Sequence, residues 1–192
     1  RIEDLTLVRG AGRYADDERL ENEAHAYVLR SPHAHAKLLR VDAAAARKAP
    51  GVLAVLTGAD AKADGLGDIP CMIPLNNADG TPRGETPRPV LAVERVRHVG
   101  DPVALVVAET LAQAKDAAEL VEVDYEPLPA IADAHAATQA GAAQVWPAID
   151  RNVCFDILQG DAKAVDKAFS RAKHVVKLTL VNNRVVANSR EP

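Results

Sequence analysis

Residues 52–57 read VLAVLT, a short run with no charged residue. A half-exposed strand turns every second side chain to water, so a continuous apolar run predicts a strand that is buried. Such a strand needs neighbours, and the sequence offers them. HAYVLR (25–30), AKLLRVD (36–42), RVRHV (95–99), VALVVA (103–108) and VEVDYE (121–126) all read as strands. Gly100-Asp101-Pro102 is a turn between two of them, and Pro127 and Pro129 end the last.

Helical signals lie between the strands. Asp42 is placed to cap a short alanine-rich helix that stops at Pro50-Gly51, and GADAKA (58–63) is at most a helical turn. Thr110 opens a clearer helix, with Gln113 as its capping-box partner. Leu111, Ala114, Ala118 and Val121 recur on one apolar face, which predicts that they pack on the sheet while Lys115, Asp116 and Glu119 face water. Strands mixed with a few helices give an α/β class of the mixed α+β kind. Only 3% of residues are aromatic, so valine, leucine and alanine must fill the core.

Residues 64–89 differ in character. Nine of these 26 positions are Gly or Pro, which predicts a long loop, and such loops in compact domains are usually functional or disordered. We expect this one to be an interface or cofactor-side element. Residues 134–160 are alanine-rich and read as a connector. DAKAVDKAFSRA (161–172) reads as an amphipathic helix, with Val165, Ala168, Phe169 and Ala172 on one side. HVVKLTLV (174–181) alternates and reads as a strand continuing to about residue 186. The expected organisation is a domain over 1–133, a connector over 134–160 and the truncated start of a second domain over 161–192. The chain begins at Arg1 and ends in NSREP, as expected of a piece of a longer protein.

Several function classes are disfavoured. A net charge of −4 with interspersed acids and bases offers no stripe for nucleic acid. No apolar run approaches the ~20 residues of a membrane helix, and no signal-peptide pattern is present. The two cysteines, Cys71 and Cys154, are too few for a disulfide framework and point to a reduced cytoplasmic setting.

Three clusters could carry chemistry. His33 and His35 would share a face on a strand and could converge on a metal, but zinc needs three or four ligands and the other histidines are scattered. RGAGRYA (9–15) matches G-x-G-x-x-A, with Asp42 as a possible ribose acid. However, Asp16, Asp17 and Glu18 follow where a phosphate would sit, and a turn leading to a strand is the better reading. Glu109, Glu119, Glu122, Asp124 and Glu126 could hide a carboxylate pair, although acids on helix and strand surfaces are usually solvated. No residue is assigned a catalytic, cofactor-binding or metal-binding role on these grounds.

Taken in order, GRYADD, RSPHAHAKLLRVD, PGVLAVLTGAD and HVGDPVALVVAETLAQAKDAAELVEVDYEPLPAIAD resemble the N-terminal part of the molybdenum hydroxylase large subunit. This is the xanthine dehydrogenase/aldehyde oxidase family, which includes the carbon monoxide dehydrogenase large chain. The tail from GDAKAVDKAF to NSREP resembles the lead-in to that family's molybdopterin-binding domain, with Arg190 where the family usually has methionine. The resemblance implies an α/β-hammerhead domain with a mixed sheet, in which Ser31-Pro32-His33-Ala34-His35-Ala36 is a recurring segment of the fold rather than a metal site. It implies a molybdenum–molybdopterin cofactor in the full-length subunit and none bound by this fragment alone. It further implies partners in the remainder of the large subunit, an iron–sulfur subunit and an FAD subunit. The family's pterin-contacting loops and catalytic glutamate lie beyond the residues present. The role expected is scaffold and interface in an oxidoreductase, with the fragment itself inactive. The rival reading is a free-standing, non-catalytic binding or assembly module.

Overall fold

A computed structural model describes residues 2–14, 17–71 and 76–180. The chain divides into two compact units, one of Ala24–Leu158 and one of Arg1–Glu23 with Gln159–Pro192.

Among the described residues the first unit holds six strands in two sheets. β1 (His25–Arg30), β2 (Ala36–Asp42) and β3 (Val52–Thr57) lead into helix α2 (Gly58–Ala63), which follows α1 (Asp4–Val8) of the other unit. β4 (Arg95–Val96), β5 (Pro102–Ala108), helix α3 (Leu111–Ala118), β6 (Glu122–Pro127) and the one-turn α4 (Ala134–Ala137) complete it. One sheet has the order β1-β5-β3 and the other β4-β2-β6, and every ladder is antiparallel. The α/β class holds, with the strands shared between two small sheets.

The buried strand sits one place along from the strongest sequence signal. β5 is central in its sheet, whereas β3 with VLAVLT is an edge. Two β-bulges explain how β2 and β3 face their cores. The β2/β6 register slips between Leu38 and Arg40, and the β3/β5 register between Val52 and Ala54. Each inserts one extra residue, Leu39 or Leu53, and both of these are exposed. Leu38 and Val41, and likewise Val52 and Val55, can then face inward although they are three residues apart.

The first core packs α3 on the β1-β5-β3 sheet through Val55, Ala104, Val106 and Ala108. The helix presents Ala114, Ala117 and Ala118, all fully or almost fully buried. Leu111 instead stays exposed, so the apolar face is rotated toward Ala117 relative to the predicted stripe. Small side chains bring the helix axis close to the sheet, where a leucine would hold it off. Val121 is buried just after the helix, and Lys115, Asp116 and Glu119 face water. Thr110 caps this helix as expected: its Oγ1 accepts from Gln113 N at 3.2 Å and donates to Gln113 Oε1 at 2.8 Å. The second core gathers Ala36, Ala92, Val96 and Val103, and Val41 and Val123 touch both clusters.

Two helical readings change. GADAKA is a six-residue helix with a full capping box between Thr57 and Asp60. The alanine-rich stretch after Asp42 narrows to a 3-10 turn, Ala46–Lys48, although Asp42 Oδ1 does accept from Ala44 N at 2.8 Å.

In the second unit, α5 (Ala162–Arg171) is capped by Asp161, whose Oδ1 accepts from Ala164 N at 2.9 Å. None of its residues is buried, Val165 and Phe169 included. Residues 174–180 form no ladder and are exposed throughout, so the predicted strand is not realised there. Its continuation to 186 lies outside the described residues.

Candidate functional site

The two histidines are not on a strand. They lie in the bend before β2, and Pro32 separates that bend from β1. Ser31 Oγ accepts from His33 N at 3.0 Å, which turns the chain. The His33 ring leans on the Tyr125 ring of β6, with centroids 4.6 Å apart. Burial pushes the Tyr125 phenol up, and a hydrogen bond with Ser31 partly offsets this. His35 is buried and points elsewhere: Nδ1 donates to Pro129 O at 2.9 Å. The pair therefore pins the start of β2 to the end of β6. Among the described residues no three His, Cys, Asp or Glu side chains gather as a metal site.

The glycines of RGAGRYA end a helix rather than open one. Gly10 follows α1, its N–H donates to Leu7 O at 3.0 Å, and its φ of +68° is the left-handed turn that glycine permits. Ala15 and Asp16 lie outside the described residues.

Three of the candidate acids are bound in an ion-pair fan on the outer face of the β2/β6 ladder. Arg40 donates from Nε to Asp124 at 3.1 Å, from Nη2 to Glu122 at 2.8 Å and from Nη1 to Asp42 at 2.9 Å. These carboxylates, Asp124 foremost, raise the Arg40 pKa. Lys37 Nζ meets Glu126 at 2.9 Å. Glu109 and Glu119 are simply exposed. A carboxylate paired across a ladder serves cross-strand register, not proton transfer.

The structure gathers a different set of residues. A cavity of about 490 Å³ lies between the 64–89 loop, β4, the 97–102 turn and the 145–154 segment. Arg30, Arg88, Arg95 and Arg97 all line it, with Asp101 as the one carboxylate. Asp101 Oδ2 is already engaged by Arg97 N at 2.8 Å and lies 3.7 Å from His98 Nδ1. The Arg97 guanidinium stacks 3.6 Å from the centre of Trp146, the single tryptophan of the chain. Burial, then the neighbouring charge of Arg95, lowers the Arg97 pKa. Arg97 Nε is sealed from water without a partner, as is His35 Nε2.

Loop chemistry positions these groups. Asn152, at a φ of +57°, donates to Ala137 O at 2.9 Å and Ala143 O at 3.0 Å and accepts from Val145 N at 2.9 Å. That single amide closes the loop that carries Trp146. The 64–89 loop is tied to the same segment by Gly84 N to Cys154 O at 2.6 Å and Ala78 N to Asp156 O at 2.8 Å. The arginine cluster escaped the sequence reading because its members lie in three separate stretches, at Arg30, Arg88 and Arg95–Arg97. The isolated tryptophan in an alanine-rich segment was the one available signal.

Comparison with known proteins places this architecture. Residues 9–129 match the family described as aldehyde oxidase and xanthine dehydrogenase, a/b hammerhead domain. The chain is 37% identical over 189 residues to the nicotine 6-hydroxylase large subunit of Paenarthrobacter nicotinovorans, covering 97% of this chain and 22% of that protein. It is 35% identical over 147 residues to the xanthine dehydrogenase molybdenum-binding subunit of Escherichia coli O157:H7, covering 76% of this chain and 19% of that protein. In structure it is similar to a Cu,Mo-CO dehydrogenase in the carbon monoxide reduced state, with a TM-score of 0.71 and 34% identity, covering 91% of this chain and 22% of that one. The chain thus spans about a fifth of the length of the relatives it matches. With order of elements, matched residues and coverage in agreement, the chain belongs to the aldehyde oxidase and xanthine dehydrogenase family and carries its a/b hammerhead domain.

Proposed function

We propose that the chain is the N-terminal scaffold and interface domain of a molybdenum-dependent hydroxylase large subunit, and that its own residues carry no catalytic step. The observation that carries this reading is the asymmetry of coverage: 97% of the chain aligns with a relative of which it makes up 22%. A domain matched end to end inside a much longer subunit is read as one part of that subunit. The arrangement of the acids supports the scaffold role. Asp42, Glu122, Asp124 and Glu126 are committed to Arg40 and Lys37, and Asp101 to the Arg97 N–H.

The molybdenum–pterin group that the family implies does not fit the residues present. Among the described residues no three His, Cys, Asp or Glu side chains gather to hold a metal. In this reading the remainder of the subunit would bind that group, and an iron–sulfur subunit and an FAD subunit would be partners in a cytoplasmic assembly. No described helix is long and apolar enough to cross a membrane.

The test is to isolate the gene product natively from its source cells and measure intact mass, molybdenum, iron and flavin. A polypeptide several times longer than this 20.4 kDa chain, co-purifying with all three, is expected. A molybdenum-free protein of this chain's own mass would overturn the reading in favour of a free-standing assembly module. The isolated 192-residue chain is expected to show no hydroxylase turnover when supplied with molybdenum cofactor.

A further inference from the structure

The geometry points to the arginine-lined cavity as a binding site for a small organic oxyanion, a carboxylate or phosphate on a flat apolar body. The first support is charge. Four arginines line one cavity against a single carboxylate. Arg88 and Arg95 make no ion pair among the described residues, and Arg30 spends Nη1 on a backbone carbonyl, Gly100 O, at 2.9 Å. Glu94 and Asp68 line the adjoining cavity together with Arg95, Arg97 and Lys62, and their charges act on Arg97. Like charges held together in this way repel one another, and an oxyanion relieves that repulsion.

The second support is the state of Arg97. Its Nη1 donates to Arg95 O at 3.4 Å, while Nε has no acceptor. Because Nε is closed off from solvent, an oxyanion in the cavity reaches Arg97 only at its terminal nitrogens. Trp146 beneath the guanidinium holds that plane in place.

The third support is shape and lining. The volume of about 490 Å³ lies within the ordinary range for a small-molecule pocket. Ile69, Val90, Val145 and Ile149 supply apolar walls beside the arginines. A bare inorganic ion would leave those walls wet, so the ligand carries an apolar body. This inference stands beside the subunit assignment rather than on it, since this chain's own residues line the cavity.

Trp146, being the single tryptophan, reports directly on the site. The 192-residue chain is titrated with phenyl phosphate and benzoate while Trp146 fluorescence is followed, with equilibrium dialysis as an independent readout. Benzyl alcohol, inorganic phosphate and a hexaglutamate peptide are run in parallel. We expect saturable binding of the aryl anions that falls with added salt. Binding should weaken at least tenfold in Arg97→Met and at least threefold in Arg88→Gln. Arg88 is exposed and makes no ion pair among the described residues, so its variant tests charge without disturbing the fold. Absence of saturation by 10 mM, or an equal response to benzyl alcohol, overturns the proposal. So does inorganic phosphate binding as tightly as phenyl phosphate, because the apolar walls then contribute nothing. Hexaglutamate binding tenfold tighter than either aryl anion overturns it in favour of a docking groove for an acidic polypeptide.

Discussion

Replacing Gly58 by alanine sets two opposing effects against each other, and the structure decides between them. Gly58 is the first residue of α2, directly after the Thr57 cap. Alanine is a better helix former by up to about 1 kcal/mol, and it also restricts the unfolded chain by about 0.4–1 kcal/mol. On propensity alone, Gly58→Ala stabilises. The space at this position says otherwise. A Cβ built on Gly58 would lie 2.7 Å from the Ala92 carbonyl carbon and closer still to its oxygen, with Leu91 O at 3.1 Å. These are backbone atoms, so no side-chain rotation relieves the clash. Nor is that segment free to retreat, because Ala92 N donates to Pro102 O at 2.7 Å and both Leu91 and Ala92 are buried. Relief must come from moving α2 off the 91–92 segment, which opens the Thr57–Asp60 box, or from breaking the Ala92 bond to β5. Overpacking of this kind costs about 1–3 kcal/mol, and a clash against hydrogen-bonded backbone belongs at the upper end. After the propensity gain, the expected net loss is about 1–2 kcal/mol, a drop of roughly 2–8 °C in melting temperature for a chain of this size. Urea and thermal unfolding followed by circular dichroism measure it. Gly67→Ala is the control, since nothing lies within 4 Å of its Cβ position, and it should stay within about 0.5 kcal/mol of the parent. If Gly58→Ala is as stable as the parent or more so, the close approach of α2 to residues 91–92 is not a feature of the folded protein.

Two further substitutions test the core and the cap. Ala118→Leu should cost about 1–3 kcal/mol by prying α3 from β5, whereas Leu111→Ala, at a side chain already 44% exposed, should be nearly neutral; equal effects in denaturant melts would show that the helix face is misassigned. Hydrogen bonds from the Thr57 hydroxyl and then the Thr57 N–H, helped by Arg47, hold the Asp60 carboxyl below its ordinary range. A depressed folded-state value means that the ionised group stabilises the fold above the unfolded value of about 4, and that this is lost as the pH falls through the folded value. Asp60→Asn should therefore be less stable than the parent at pH 6, and the gap should close below about pH 4; a gap that does not change with pH would remove the carboxylate from the cap.

What the sequence shows about this fold stops where side-chain period meets tertiary context. The strands at 25–30, 36–42 and 103–108 were legible because each is a short β-rich run between turn formers, and Thr110 was legible as a cap because capping is local. Register was not, because Leu39 and Leu53 are ordinary strand residues until a partner strand fails to match them one for one. The rotation of α3 has the same origin. Alanine scores as weakly apolar, so Ala117 and Leu111 compete for the buried face, and only the nearness of Ala104 and Ala108 selects the smaller one. The alternation at 174–180 is a true β pattern with no ladder in which to express it, since a strand needs neighbours that its own sequence cannot supply. The candidate site illustrates this most sharply. His33 and His35 are two positions apart in sequence and diverge in space, one to Tyr125 and the other to Pro129. Arg30 and Arg97 are far apart in sequence and meet at one cavity, because the β1/β5 ladder and the Gly100–Asp101 turn bring them there. Proximity along the chain suggests chemistry only when an element keeps the side chains parallel, and here a bend at Pro32 separates the histidines while a ladder assembles the arginines.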